Sequence, residues 1–107
     1  MSTKAETVLS KAIRGALEQC GYVVHRLQSG RVPVKRGWLH LEPKGTPDLL
    51  VLRRAKACYL EVKLPGEKPT EEQIAKHSEL RDRSGCAVYI VTAPHEALAC
   101  VREELGP

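Results

Sequence analysis

The hydrophobic residues near the start of the chain recur at helical spacing. Positions three and four apart lie on one face of a helix, and the apolar residues that follow this spacing are Ala5, Val8, Leu9, Ala12, Ile13, Ala16, Leu17 and Cys20. Ser2 or Thr3 can cap the N-terminus, and Gly21 is typical of the residue just beyond a helix end. The pattern predicts an amphipathic helix from about Lys4 to Gln19.

Four later segments have the short apolar runs and β-branched residues that are typical of strands. They cover residues 22–27, 48–53, 57–64 and 86–91. The second and third are separated by a short basic turn, which indicates a β-hairpin. Because the flanks of this hairpin are fully apolar, we expect it to lie inside the domain.

Two further helices are predicted in the second half of the chain. Thr70 can open one of them and Gly85 can end it, while Pro94 suits the first turn of the last helix. The strand–helix–strand path predicts that residues 86–91 run parallel to the preceding strand. The order αβββαβα predicts an α/β fold, an α+β sandwich with a central mixed sheet of about four strands and helices on both faces.

Residues 31–46 show no clear periodicity and contain two prolines and two glycines. A long connection inside a small domain is usually functional or disordered, so we interpret this segment as a functional loop. Short irregular strands are an alternative, built from Val32 and Val34 or from Trp38, Leu39 and Leu41.

The basic residues are concentrated in the same part of the chain. The formal net charge is +4. Residues 25–44 account for it, because they contain one acidic side chain and five basic ones. The basic residues are Arg26, Arg31, Lys35, Arg36 and Lys44. A local basic excess on a compact domain suggests a polyanionic partner, most often nucleic acid. We therefore predict that these five residues contact DNA. A merely solubilising surface is the alternative.

Length and composition limit the other possibilities. A chain of 107 residues fits one domain. No apolar run approaches the roughly 20 residues of a membrane span, and the N-terminus lacks the apolar core of a signal peptide, so we expect a cytosolic protein without a membrane partner. The four cysteines are widely spaced, which argues against a zinc site. The four histidines show no metal-binding spacing, and we expect ordinary surface or half-buried residues: His25, His40, His77 and His95.

Three charged residues stand in the predicted hairpin or at its start. Asp48 heads the first strand, and Glu61 and Lys63 share one face of the second. Unpaired charge is costly to bury, and carboxylates from adjacent strands are hard ligands that suit Mg²⁺ or Mn²⁺. Asp48 lies on the face of Glu61 only if the turn has an even number of residues. A lysine beside such a metal suits hydrolysis of a phosphodiester.

The same residues resemble the motifs of a known nuclease superfamily. Pro47-Asp48 followed by Glu61-Val62-Lys63 is similar to the PD-(D/E)XK pattern. Together with Gly45-Thr46 and Thr70-Glu71-Glu72-Gln73, this pattern resembles the small stand-alone VRR-NUC domains of phages. The resemblance covers nearly the whole chain and implies a restriction-endonuclease-like core.

The resemblance also implies roles for individual residues. Asp48 and Glu61 would be metal ligands, completed by the backbone carbonyl of Val62. Lys63 would be the catalytic lysine. Gln73 would support the lysine or the waters of the metal.

Glu6, by its position on the first helix, is the candidate for a further metal ligand. Both helix starts also match the capping box, as Thr3-x-x-Glu6 and Thr70-x-x-Gln73. In a capping box the same side chain bonds to the backbone of the N-cap residue, so capping competes with a role in the site. Both interpretations remain open for Glu6 and Gln73.

The function implied by this resemblance is a DNA endonuclease that depends on Mg²⁺ or Mn²⁺. Small relatives of this type usually form homodimers and resemble Holliday-junction resolvases, so branched DNA is the expected partner and no small-molecule substrate is expected. The apolar part of residues 32–41 and the last helix are candidates for the dimer interface. A non-catalytic DNA-binding or scaffolding module is one alternative, and an enzyme directed at RNA is another.

Overall fold

The computed structural model describes residues 3–28, 31–40 and 43–107, and for residues 31–33 and 38–40 it describes the backbone alone. These ranges contain the helices α1 (Lys4–Gln19), α2 (Glu71–Ser84) and α3 (Pro94–Leu105). The strands are β1 (Val23–Arg26), β2 (Arg31–Val34), β3 (Gly37–His40), β4 (Leu49–Arg53), β5 (Lys56–Val62) and β6 (Ala87–Val91). The helices agree with the bounds predicted from hydrophobic spacing to within about a residue.

Four of the strands form a mixed sheet in the order β1-β4-β5-β6. β4 is antiparallel to both β1 and β5, and β6 is parallel to β5. The parallel pair is connected through α2, as a strand–helix–strand path requires. The predicted α/β class and the order αβββαβα around one central sheet are confirmed.

The hydrophobic core lies between one face of this sheet and two helices. Alternate residues of β4 and β5 are buried together with residues of α1 and α3, and the cluster includes Leu49, Val51, Cys58, Leu60, Val62, Ile13, Leu17, Ala97, Val101 and Leu105. On β5, Glu61 points away from its neighbours in this cluster because strand side chains alternate. Its carboxylate contacts His77 of α2, so the helices cover both faces, as predicted.

The β4–β5 hairpin sets the register of the site. Its two-residue turn consists of Arg54 and Ala55, which both have positive φ, 48° and 66°. Such a turn matches the right-handed twist of the strands. Leu49 pairs with Leu60, and one further step of the register brings Asp48 opposite Glu61. The even-length turn that the site requires is therefore confirmed.

Residues 31–40 form a second, two-stranded sheet instead of an irregular loop. β2 and β3 pair antiparallel from Arg31 with His40 to Val34 with Gly37. The prediction of a loop without regular structure is wrong here, and the alternative of short strands is right in kind, while a functional role for the segment stays a prediction. Pro33 obscured the strand, because proline lacks a backbone donor and is tolerated mainly at sheet edges. A two-stranded sheet consists entirely of edge strands.

Candidate active site

A polar cavity of about 610 Å³ opens where β5 ends and β4 begins. Its walls come from α1, the end of β1, the turn before β4, the end of β5 and the start of α2. The six residues predicted for metal binding and catalysis all line it: Glu6, Asp48, Glu61, Val62, Lys63 and Gln73. The fold thus brings together residues that are distant in the sequence.

Asp48 is fixed by the strands on both sides of it. Its Oδ2 accepts a hydrogen bond of 2.7 Å from the backbone N–H of Val62, and its backbone carbonyl accepts one of 2.8 Å from Leu27. In an extended strand the N–H and C=O of one residue point to the same side. The carbonyl of Val62 therefore also points to the Asp48 side of β5, where the cavity lies.

The turn that leads to Asp48 depends on Gly45, which is buried and has a φ of +88°. A Cβ at this position would lie 2.7 Å from the backbone carbon of Glu72 and nearer still to its carbonyl oxygen. Thr46 closes the turn, since its N–H and its hydroxyl both donate to the carbonyl of Pro43. The Gly-Thr-Pro-Asp motif is therefore a tight turn pressed against the first turn of α2.

Glu61 is a carboxylate buried in the interior, with only 1% of its surface exposed. Both of its oxygens have partners on α2: Oε1 lies 3.0 Å from His77 Nε2, and Oε2 accepts a bond of 3.3 Å from Gln73 Nε2. Burial without such partners would be costly for a carboxylate. The side chain is thus held in place by one helix.

The carboxyl groups of Asp48 and Glu61 are close enough to affect each other's pKa. Burial and the proximity of Glu61 raise the pKa of Asp48 to about 7, and burial also raises the pKa of Glu61. Two neighbouring carboxylates that have both lost hydration cannot both ionise easily unless a positive charge joins them. Divalent cations of the hard type bind such oxygen pairs, so these residues fit Mg²⁺ or Mn²⁺.

Lys63 is nearly buried beside this pair, with 8% of its surface exposed. Its backbone N–H donates to the carbonyl of Val91 at 3.0 Å, which anchors the residue just beyond β5. The positive charge of Lys63 acts to lower the pKa of both Asp48 and Glu61. The ion pairs among the described residues do not include Lys63, and the residue lines the cavity.

At the start of α2, Gln73 caps its own helix and also contacts Glu61, while its predicted support of Lys63 or of the metal waters stays a prediction. The Oε1 of Gln73 accepts from the backbone N–H of Thr70 at 2.9 Å, and the Thr70 hydroxyl accepts from the N–H of Gln73, which completes a capping box. The Nε2 of the same side chain donates to Glu61. The expected competition does not arise, because an amide has separate acceptor and donor ends.

Glu6 lines the cavity while it caps its own helix. Its Oε1 accepts from the N–H and the hydroxyl of Thr3, at 3.4 and 3.2 Å, and α1 has a complete capping box. The charge of Glu6 contributes to the raised pKa of Glu61, so the two groups are close enough to interact. Both bonds to Thr3 use Oε1 of Glu6, and a metal-binding role for Glu6 stays a prediction.

His77 is a site residue that the sequence pattern did not reveal. The prediction of an ordinary surface or half-buried histidine is wrong, because His77 is 3% exposed and contacts Glu61. Its position offers one signal. It follows Gln73 by four residues, so the two lie on the same face of α2, and a role in the site for Gln73 already implied that this face is turned toward Glu61.

Basic side chains from three parts of the chain surround the cavity. Arg26 at the end of β1 is one of the five residues predicted to contact DNA. The others in the cavity wall are Lys11 and Arg14 of α1 and Lys68 of the connection between β5 and α2. These three residues lie outside residues 25–44, where the positive charge is concentrated, and were not among the predicted DNA contacts.

The remaining predicted DNA contacts lie in other surroundings. Lys35 and Arg36 form the exposed turn between β2 and β3. Lys44 is paired in solvent with Glu72, with 3.2 Å between Nζ and Oε1. The side chain of Arg31 lies outside the described residues. DNA contact through these residues stays a prediction.

No protein-family model and no curated protein matches the sequence significantly. A solved structure described as a VRR_NUC domain does match, over 94% of this chain and 97% of its own, with a TM-score of 0.68 and 26% sequence identity. The chain has the fold of a VRR_NUC domain. The predicted resemblance is thereby confirmed, and the phage origin stays a prediction. Within the described residues, no helix of this VRR_NUC fold has the length and apolar character to cross a membrane.

Proposed function

We propose that this chain is an endonuclease that depends on a divalent metal and hydrolyses DNA phosphodiester bonds. A VRR_NUC fold implies a nuclease of the PD-(D/E)XK type. The observation that carries the proposal is the half-buried Asp48 opposite the buried Glu61, beside the nearly buried Lys63. A binding surface alone gives no reason to bury Glu61 and Lys63 next to a further carboxylate, since each charge loses hydration there.

Mg²⁺ or Mn²⁺, when bound, supplies a Lewis acid that activates water and offsets the charge of a phosphate. Among the described residues, no three His, Cys, Asp or Glu side chains are grouped to hold a metal. By the family resemblance, the protein ligands would be Asp48, Glu61 and the carbonyl of Val62, with Glu6 as a further candidate. Hard cations that retain several waters suit such a small set of protein ligands.

Lys63 and Gln73 complete the proposed catalytic set. The amine of Lys63 is placed to stabilise the negative charge that develops on the phosphate during attack. Gln73 keeps Glu61 in position through its Nε2, while its Oε1 ties it to the start of α2. Asp48 and Glu61 would hold the cation as ionised carboxylates, so metal binding would compete with protons for their oxygens.

The basic rim of the cavity, formed by Lys11, Arg14, Arg26 and Lys68, supports DNA as the substrate. Phosphate contacts by lysine and arginine supply most of the affinity of sequence-independent DNA binding. We propose that the strand to be cut passes along this rim, with Lys35 and Arg36 of the hairpin contacting more distant phosphates. Branched DNA, such as a four-way junction, is the proposed preferred form, and a homodimer is the proposed active state.

A cleavage panel tests the reaction and the substrate together. A four-way junction, a flap, a linear duplex and an RNA duplex are incubated with the protein in Mg²⁺, in Mn²⁺ and in EDTA. We expect cleavage of DNA that requires metal and is fastest on the junction. DNA binding without cleavage in either metal would favour the non-catalytic module, and faster cleavage of RNA would favour the RNA-directed enzyme.

Two substitutions test the mechanism. Glu61→Gln should abolish cleavage, and Lys63→Met should lower kcat by at least about 100-fold, because each removes charge at the reacting group. Both keep the size of the side chain, so the fold and most of the DNA affinity should remain. Lys56→Met, on the exposed first residue of the same strand, is the matched control. Normal cleavage by both variants would rule out this mechanism.

A further inference from the structure

Helix α2 buries a histidine against the candidate site, at a place where an aliphatic residue is the usual choice. Among the described residues of α2, His77 is the buried one. A helix on a sheet normally packs through an apolar stripe. Burial of an imidazole instead needs a reason, and the contact of 3.0 Å between its Nε2 and Oε1 of Glu61 provides one.

We propose that His77 is a positioning residue, which fixes the Glu61 carboxylate in the orientation that binds a divalent cation. The inference rests on the proposed function. Gln73 and His77 lie four residues apart on one face of α2, and each contacts a different oxygen of Glu61. Gln73 is itself tied to Thr70. Two side chains from one capped helix therefore define both the position and the rotation of the carboxylate.

The chemistry of the contact determines which nitrogen of His77 carries the proton. A carboxylate that binds a cation is ionised and can only accept hydrogen bonds. Nε2 must then donate, and Nδ1 is left without a proton in the neutral ring. Burial, together with the charges of Arg81 and Lys63, lowers the pKa of His77 against the opposing effect of Asp48. The neutral ring that donates from Nε2 is thus compatible with its surroundings.

Three substitutions separate positioning from packing. His77→Gln can place an amide nitrogen near the position of Nε2, His77→Asn only near that of Nδ1, and His77→Leu removes the donor. We expect H77N and H77L to weaken Mn²⁺ binding about 10- to 100-fold, as is typical when the partner of a metal ligand is lost, and H77Q to stay within about threefold of the wild type. Calorimetry with Mn²⁺ measures this, and the Mn²⁺ concentration for half-maximal cleavage should move in parallel.

These measurements distinguish a failure of the positioning role of His77 from a failure of the proposed nuclease function. His95→Leu, on an exposed position of α3, is the matched control and should bind Mn²⁺ like the wild type. If H77L does not fold, the comparison of H77Q with H77N decides, since both side chains are polar and similar in size. Equal Mn²⁺ affinity in H77Q and H77N would overturn the positioning role. A wild type that neither binds Mn²⁺ nor cleaves DNA would overturn the proposed function itself.

Discussion

At the scale of single residues, the raised pKa of Asp48 links the stability of the fold to pH. Its pKa is raised from 3.8 to about 7 by burial and by Glu61. A carboxyl group whose pKa is higher in the folded state contributes stability below its unfolded pKa, and it loses this contribution as the pH rises through the folded pKa. Without metal, the contribution of Asp48 should therefore disappear between about pH 4 and about pH 7.

Asp48→Asn isolates this effect, because asparagine keeps an acceptor for the N–H of Val62 but does not titrate in this range. In EDTA, the free energy of unfolding of the wild type should fall relative to that of D48N from pH 4 to pH 7, as measured by urea denaturation. The difference cancels the titration of the carboxylates that do not interact with Asp48. A constant difference across this range would contradict the raised pKa.

Metal should reverse the same trend. If Mn²⁺ binds the ionised pair as proposed, it should raise the free energy of unfolding most at pH 7 to 8 and progressively less toward pH 5, where protons compete for the same oxygens. D48N should show little stabilisation at any pH. Equal stabilisation of both proteins by Mn²⁺ would place the cation at a different site.

Replacing Gly45 with alanine should destabilise the protein by more than the positive φ of this position alone would cause. Gly45 and Gly66 both have a φ of +88°, but a Cβ on Gly66 meets nothing within 4 Å, whereas one on Gly45 collides with the backbone of Glu72. Gly66→Ala should cost about 1 kcal/mol, the usual penalty of left-handed backbone. Gly45→Ala should cost roughly 3 kcal/mol or more, because overpacking is added. Urea denaturation measures both, and equal losses would refute the collision.

At the scale of elements, α2 shows what the sequence can and cannot predict. Its cap, its end and the parallel crossover to β6 follow from local signals such as Thr70 and Gly85. The face that it turns to the sheet does not, because Ile74 is 52% exposed while His77 is buried. Hydrophobicity alone predicts that Ile74 is buried and His77 exposed. The contact of His77 with Glu61 determines which face of α2 is buried, and only the folded register brings Glu61 within reach.

The two hairpins differ in how much local sequence determines them. β4 and β5 are apolar runs, which predicted a hairpin. The predicted strand bounds left residues 54–56 between them and the register open, and the structure shows the two-residue turn Arg54-Ala55. β2 and β3 contain Pro33 and Gly37 and add no strand to the central sheet. The first hairpin was therefore predictable without its register, whereas the second was predictable only as an alternative.

The basic rim yields a prediction at the scale of elements, since its residues come from different elements. Lys11 and Lys68 line the cavity, whereas Lys44 is paired with Glu72. Lys11→Ala and Lys68→Ala should each lower the salt dependence of DNA binding by about one unit of slope. Lys44→Ala should have a smaller effect, because its charge is already compensated in part. Fluorescence anisotropy over a range of salt concentrations measures the slopes. A larger decrease in slope for K44A than for the other two variants would place the bound DNA nearer to Lys44 than to the cavity.

At the scale of the whole molecule, the proposed substrate sets a requirement on assembly. The chain has one set of Asp48, Glu61 and Lys63, and symmetric cleavage of a four-way junction needs two equivalent sites. A two-fold dimer provides them. Of the two predicted interfaces, α3 already buries Ala97, Val101 and Leu105 in the hydrophobic core of the chain. The hairpin is the stronger candidate, because Val34 of β2 is 50% exposed.

The dimer can be tested by disrupting that hairpin surface. Val34→Asp should shift the protein toward the monomer in sedimentation velocity, because a charge at an apolar contact is costly to desolvate. Val8→Asp is the matched control, since Val8 is 61% exposed on α1 and lies outside both predicted interfaces. If V34D becomes a monomer, it should still nick DNA but lose paired cuts on the junction. A wild type that sediments as a monomer and still makes paired cuts would contradict the homodimer.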